Sequence, residues 1–130
     1  MKTLKALRGQ EGFTLVEIIA VLIILGILAA VAVPRYIDLE TNAKMKAADA
    51  AVAELNGRES LAWANAKISV TGYETDALLF ANRMNTNIGD AYPWTGAVTA
   101  AGGTFTFKGT TYAINRTTSS TSNPALWRRP

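Results

Sequence analysis

Hydrophobic residues are concentrated in one run near the beginning of the chain. From Ile18 to Val33 (IIAVLIILGILAAVAV) no side chain is charged or polar, and Phe13–Val16 extend the run to the other side of Glu17. At about 1.5 Å per residue, a helix over residues 13–33 spans about 30 Å, which matches one hydrocarbon core. The pattern therefore predicts a membrane-spanning helix over residues 13–33.

Beyond this run, apolar residues recur at helical spacing in an alanine-rich stretch. They lie at intervals near three, four and seven and share one face: Ala48, Ala51, Val52, Leu55 and Ala62. This spacing predicts an amphipathic half at residues 34–66 that continues the membrane half. Together the two halves form one helix from about residue 13 to residue 66, roughly 80 Å long.

Gly26 and Pro34 interrupt the regular helical pattern. Proline removes a backbone hydrogen bond and clashes with the preceding turn, so it kinks or ends a helix. We expect Gly26 and Pro34 to let the helix curve or locally unwind when neighbouring chains pack against it. The alternative is a helix that stops at Pro34, at the edge of the membrane.

Residues 67–130, called the head below, contain shorter elements. Thr75 and Asp76 have the character of a helix N-cap, and they predict a short helix that ends near Met84. Its buried residues are expected to be Leu78, Leu79 and Phe80.

Two stretches of the head alternate polar and apolar residues. Thr104–Phe107 and Thr111–Ile114, joined by residues 108–110, predict a β-hairpin, and a third strand is expected near residues 97–100. The side chains expected to cover the long helix are Phe105, Phe107, Ile114 and Trp94. The predicted fold class is α+β: a long N-terminal helix packed on a small head with a short helix and an antiparallel sheet.

Charge orients the beginning of the chain relative to a membrane. The net charge is +3, and most of the excess comes from Lys2, Lys5 and Arg8, which face only Glu11 among the first twelve residues. Because basic residues beside a membrane helix stay on the cytoplasmic side, residues 1–12 are predicted to be cytoplasmic and the head to lie outside. The sequence has no basic stripe interleaved with aromatic residues, so it does not predict a nucleic-acid partner.

Glu17 separates the possible interpretations of this beginning. The basic start and the apolar run fit a secretory signal cut after Ala32, and they equally fit a plain membrane anchor. Neither has a use for a carboxylate in the run, which costs about 2.5–3.5 kcal/mol if it reaches the helix centre. A residue retained at such a cost usually has a partner.

A cut after Gly12 would provide a partner for Glu17. The new α-amino group on Phe13 would lie about one helical turn from Glu17, and an amine attracts a carboxylate far more strongly in apolar surroundings than in water. The same pair between neighbouring chains would fix the register of helices that otherwise slide on one another. Processing after Gly12 is therefore a third interpretation.

The sequence GFTLVE at residues 12–17, with the basic leader before it and the apolar run and Pro34 after it, resembles the signal of type IV pilins and type II secretion pseudopilins. The resemblance covers about the first 50 residues. It implies that residues 1–12 are a leader peptide and that prepilin peptidase cuts after Gly12. It also implies that the same enzyme methylates Phe13, and that Glu17 is needed for filament assembly.

The resemblance further implies partners and a location. The chain is expected to polymerise with itself through its N-terminal helix, after insertion in the lipid bilayer and contact with an inner-membrane assembly platform. The precursor is then a single-pass protein of the bacterial inner membrane. The assembled form is an extracellular pilus or a periplasmic pseudopilus.

Composition argues against catalysis. The chain has no histidine and no cysteine, so it lacks the commonest general base, a thiolate nucleophile and any disulfide. We therefore predict a structural protein without a cofactor. Calcium is the one metal considered, with candidate ligands Glu74, Asp76 and Asp90, because it takes about six to eight oxygen ligands. The alternative for Glu74 and Asp76 is a helix cap with a solvated acid.

Three functions remain open from the sequence. The first is a structural subunit of a type IV pilus. The second is a pseudopilin that drives protein export through a type II secretion system, which a calcium site in the head would favour. The third is a secreted binding domain released after Ala32, and Glu17 argues against it.

Overall fold

The computed structural model describes residues 12–130 and divides the chain into two units, with the boundary between Glu40 and Thr41. Of the predicted leader at residues 1–12, residues 1–11 lie outside the described residues. One helix, α1 (Leu15–Ile68, 54 residues), contains Pro34 in its interior. The predicted long helix is confirmed, and the alternative of a helix that ends at Pro34 is wrong.

The first unit consists of the N-terminal part of α1. Every side chain from Phe13 to Val33 is exposed in it, and so are Tyr36, Ile37 and Leu39. Within the part of the chain that the structure describes, α1 is the helix that is long and apolar enough to cross a membrane, by length and composition. So large an apolar surface requires lipid or other protein to cover it.

In the second unit, α1 buries the face that the spacing of its apolar residues predicts. The buried positions are Ala48, Ala51, Leu55, Glu59, Ala62 and Ala66. Most are alanines, whose small side chains let other elements approach the helix closely. Ala48, Ala51 and Leu55 pack against the large apolar residues of the core: Phe105, Tyr112, Ile114 and Trp127. Ala62 and Ala66 form a second cluster with Leu79. Glu59 is the exception on this face, and the charge pattern did not predict it.

A second helix, α2 (Asp76–Arg83), follows the predicted cap. The Thr75 hydroxyl accepts a hydrogen bond from the Leu78 amide at 3.3 Å, as expected for an N-cap. Leu79 is buried and Phe80 packs against the core, which confirms two of the three predicted contacts. The prediction for Leu78 is wrong, because its side chain lies on the solvent side and is 45% exposed.

The sheet has three antiparallel strands in the order β1-β2-β3: β1 (Gly102–Phe107), β2 (Thr110–Arg116) and β3 (Trp127–Arg128). The predicted hairpin is β1 and β2. Its turn residues Lys108 and Gly109 both have positive φ, 49° and 77°, as a two-residue type I′ turn requires.

The prediction of a strand at residues 97–100 is wrong. Thr99 and Gly102 exchange backbone hydrogen bonds of 2.9 and 3.0 Å, so this segment turns directly into β1 instead of running beside it. Gly102 has a φ of +134°, and a Cβ there would lie 2.2 Å from the Ile114 carbonyl oxygen. The third strand comes instead from the end of the chain.

A side chain of α1 holds β3 in place. The Trp127 amide donates to Asn56 Oδ1 at 2.7 Å, and Asn56 Nδ2 donates to the Trp127 carbonyl at 3.0 Å. Asn56 thereby bonds both backbone groups of Trp127 as a neighbouring strand would. The ring of Trp127 is fully buried, so this end of the chain is anchored in the core.

Candidate functional site

The Glu17 side chain turns back toward the beginning of α1. The amide and the hydroxyl of Thr14 both donate to Glu17 Oε2, at 2.7 and 3.0 Å, and the Glu17 amide donates to Thr14 Oγ1 at 3.2 Å. This reciprocal pair is a capping box, in which a threonine N-cap and a glutamate three residues later satisfy each other's backbone groups. The pattern Thr-x-x-Glu at residues 14–17 was the available sequence signal.

The capping box changes the argument about Glu17. In the uncut chain the carboxylate already has a partner in Thr14, in addition to the amine that a cut after Gly12 would provide. Among the residues that the structure describes, the two groups that donate to this carboxylate both donate to Oε2. Oε1 is therefore left for a donor from outside these contacts.

The predicted cleavage residues lie immediately before this box. Gly12 and Phe13 precede α1 without helical structure, and the Phe13 side chain is 83% exposed. Thr14 separates Phe13 from the first residue of α1, so the three residues Gly12, Phe13 and Glu17 belong to one short stretch at the helix start. Their roles in cleavage, methylation and assembly stay predictions.

Gly26 and Pro34 both lie within continuous helix. A Cβ on Gly26 would meet no atom within 4 Å, so nothing in the chain itself requires glycine there. Pro34 is likewise exposed. Their proposed role as points of bending therefore concerns packing between chains and also stays a prediction.

The head contains a buried ionic cluster that the sequence did not predict. Arg116 on β2 binds the Glu59 carboxylate in a two-pronged contact, with Nε at 3.0 Å and Nη2 at 2.6 Å. It binds Asp76 in a second such contact, with Nη1 at 2.9 Å and Nη2 at 2.8 Å. A fifth bond runs from Nη1 to the Ala100 carbonyl at 3.1 Å. All five guanidinium donors are thus used.

Aromatic rings enclose this cluster. The Arg116 guanidinium lies 5.1 Å from the centre of the Phe80 ring and 5.9 Å from that of Trp127, and Trp127 Nε1 donates to Glu59 at 3.0 Å. The side chains of Arg116 and Glu59 are both 0% exposed. The cluster ties α1, α2, β2 and β3 together through charge-assisted hydrogen bonds.

Asp76 is stabilised in its charged form although it is partly buried. Burial raises its pKa, but hydrogen bonds from Arg116 and from the hydroxyl and amide of Ser119 outweigh burial and lower the pKa to about 2. For Arg116, burial opposes the charged form, and the bonds to Glu59 and Asp76 more than compensate and raise its pKa above the ordinary value.

The three calcium candidates do not form a site in this structure. Asp76 is bonded to Arg116 and Ser119, so the expectation of a solvated acid at this position is wrong. Glu74 and Asp90 are exposed. Within residues 12–130, no group of three or more acidic residues lies close enough to hold a metal ion. The arrangement is that of an internal ion pair network and not of a ligand shell.

We predict that replacing Arg116 by methionine lowers the free energy of unfolding by about 3–5 kcal/mol, because it leaves two carboxylates without their cation. The matched control is Glu54→Gln at the exposed pair Arg58–Glu54, 2.7 Å apart, where a change below about 1 kcal/mol is expected. Urea unfolding of the detergent-solubilised chain, followed by tryptophan fluorescence, gives both values. Similar losses for the two variants would contradict the cluster's structural role.

The depressed pKa of Asp76 predicts how stability depends on pH. Its contribution is fully present above the unfolded pKa of about 3.9 and is lost as pH falls through the folded pKa of about 2. Between pH 4 and pH 2, Asp76→Asn should therefore lose stability with a shallower slope than the parent chain. Asp90→Asn, at an exposed loop position, should keep the parent slope. Equal slopes for all three chains would contradict the assignment.

Comparisons with known proteins match part of the chain. Residues 7–33 match the family model of the prokaryotic N-terminal methylation motif. The type IV narrow pilus major component PilA5 of Thermus thermophilus is 40% identical over 72 residues, which covers 55% of this chain and 59% of that protein. A fimbrial protein of Pseudomonas aeruginosa is 38% identical over 72 residues, with 47% of this chain and 46% of that protein covered.

The matched region spans less than two thirds of each of these relatives. No solved structure matches the chain. The family model contains Gly12, Phe13 and Glu17, the residues that the capping box and the start of α1 bring together. Residues 7–33 thus carry a prokaryotic N-terminal methylation motif, and part of the chain is similar to a type IV pilus component and to a fimbrial protein.

Proposed function

We propose that this chain is a structural subunit of a type IV pilus, cut after Gly12, methylated on Phe13 and polymerised through α1. The observation that carries the proposal is the carboxylate of Glu17, held by Thr14 at the start of an apolar helix, directly after the proposed cleavage site. The similarity to a type IV pilus component and to a fimbrial protein supports it.

The exposed apolar surface of α1 supplies the physical reason for assembly. Residues 13–33 are covered by nothing in the described chain, so in the precursor the bilayer covers them. When the chain leaves the membrane, water cannot replace lipid there without a large loss of free energy, and the same surface of other copies can. Polymerisation through α1 is the arrangement that keeps this surface dry.

Glu17 gives the assembled helices a fixed register. Cleavage converts the Phe13 backbone nitrogen into an α-amino group, and the oxygen Oε1 of Glu17 is available to a cationic donor. In a bundle of apolar helices this pair is the strongest directional interaction, because the surroundings screen charge poorly. Thr14 holds the carboxylate at the N-terminal end of α1, where the α-amino group of Phe13 would bind it.

The proposed partners follow from this sequence of steps. Prepilin peptidase processes the precursor in the bacterial inner membrane, an assembly platform extracts it, and other copies of the chain receive it. We propose no catalytic activity and no cofactor, in keeping with the matched pilus and fimbrial proteins. A pseudopilin of type II secretion would use the same N-terminal residues, but the relatives' names favour the pilus.

The first test is the mass of the N-terminal peptide of the mature protein, isolated from its own cells. We expect a chain that begins at Phe13 with one added methyl group, because residues 7–33 match an N-terminal methylation motif and a cut after Gly12 would expose the Phe13 amine for that modification. A chain that begins at Val33 would mean ordinary secretion, and the proposed filament would lose its basis. Sheared surface filaments made of this protein would then separate a pilus from a periplasmic pseudopilus.

Substitutions at Glu17 and Thr14 separate an assembly role from a capping role. Glutamine also forms a capping box, so Glu17→Gln keeps the helix start but removes the charge that pairs with the Phe13 amine. We expect this variant to be inserted and cut, with filament yield reduced on the order of 100-fold, since a buried ion pair is lost.

The matched variant is Thr14→Val, which keeps the side-chain shape and the Glu17 charge but loses the hydroxyl of the cap. Loss of a cap costs about 1 kcal/mol, so most of the filament yield should remain. Filament yield is measured in the sheared fraction, and processing is measured from the precursor-to-mature ratio. The opposite ranking, with normal assembly of Glu17→Gln and failure of Thr14→Val, would show that Glu17 acts only as a cap.

A further inference from the structure

A groove of about 240 Å³ lies on the second unit, between α1 and the C-terminal end of α2 with the residues that follow it. Its lining combines two arginines, two asparagines and two apolar residues: Arg58, Leu61, Ala62, Asn65, Arg83 and Asn85. Leu61 is 62% exposed although it is a large apolar side chain surrounded by polar ones. The groove thus presents apolar surface and positive charge together.

The two arginines of the groove differ in their charge balance. Arg58 is paired with Glu54 at 2.7 Å, and it donates to the backbone carbonyls of Asn85 and Asn87. Arg83 makes a long hydrogen bond of 3.5 Å to the Ser69 hydroxyl, and no carboxylate of residues 12–130 lies within ion-pair distance of it. The groove therefore carries one uncompensated positive charge beside the exposed Leu61.

A surface of complementary character is exposed on the first unit. Asp38 forms no ion pair within the described part of the chain, and the adjacent Leu39 is 66% exposed. The Asp38 carboxylate is opposite in charge to Arg83 of the groove, and the exposed Leu39 offers apolar surface to the exposed Leu61. Every copy of the chain presents both surfaces.

We propose that the groove of one copy receives Asp38 and Leu39 of a second copy. Arg83 pairs with the neighbour's Asp38, and Leu61 packs on the neighbour's Leu39. The two surfaces differ, so the contact is heterologous: each copy uses its groove for one neighbour and its Asp38 segment for another. Such a contact continues as an open filament when its rotation does not close a ring. This inference rests on the proposed function.

The absence of cysteine from the chain permits a direct test by cross-linking. Leu39→Cys combined with Leu61→Cys in one chain should give, after mild oxidation of sheared filaments, a ladder of disulfide-linked dimers, trimers and higher multimers. A disulfide requires Cα atoms within about 4.4–6.8 Å, so the ladder reports contact and not mere proximity. Each single variant should remain monomeric, because its partner position lacks a thiol.

A matched control pairs Leu39→Cys with Ser122→Cys. Ser122 is exposed on the loop whose backbone carbonyls accept hydrogen bonds from Trp63 and Lys67, on another face of α1. This pair should give no ladder. A ladder from the control as strong as that from the Leu61 pair would overturn the assignment of the groove.

Charge exchange provides a second measurement that does not depend on cysteine. Arg83→Glu should lower filament yield roughly tenfold, because it places like charges opposite each other, and Asp38→Lys in the same chain should restore the yield. Filaments that form normally, with neither a ladder nor sensitivity to Arg83→Glu, would overturn the inference and leave the proposed function intact. A mature chain that begins at Val33 and forms no filament would overturn both.

Discussion

The head of this protein depends on one buried guanidinium. Arg116 uses its five donors on Glu59, Asp76 and the Ala100 carbonyl, and the ring of Trp127 closes the cluster. These partners come from α1, α2, the segment before β1, and β3. A three-stranded sheet with a final strand of two residues has few ladder bonds of its own. The Arg116 guanidinium compensates for this. Because its removal would leave two carboxylates without a cation, it fixes one arrangement of these elements.

The elements predicted correctly from sequence are those set by local rules. The apolar run and the alanine-rich stripe gave α1, the Thr75 cap gave α2, and alternation gave the hairpin. What was missed depends on contacts across the chain. Glu59 lies on the predicted buried stripe, yet its partner Arg116 is 57 residues away, and no local pattern relates the two. The true third strand has only two residues, which is too short to show an alternating pattern. The prediction therefore placed the third strand at residues 97–100 instead.

The N-terminal site shows the same division between local and distant information. Gly12, Phe13 and Glu17 were recognisable from residues 12–17, and the capping box of Thr14 and Glu17 was readable from their spacing. The contacts that the proposed polymerisation requires involve a second chain, so no pattern within one copy specifies them. The exposed side chains of α1 and the groove at Arg83 indicate where such contacts fit, because they are surfaces that a single chain leaves unsatisfied.

The pairing of Asn56 with Trp127 has a consequence for a crowded polymer. A strand at the margin of a sheet is a template on which a strand of another molecule can form, and this leads to amyloid-like aggregation. In β3 the amide group of Asn56 occupies both backbone groups of Trp127, so this margin is closed by a helix side chain. In the proposed filament, copies held at very high local density then associate through their helices, while cross-β growth from Trp127 is blocked.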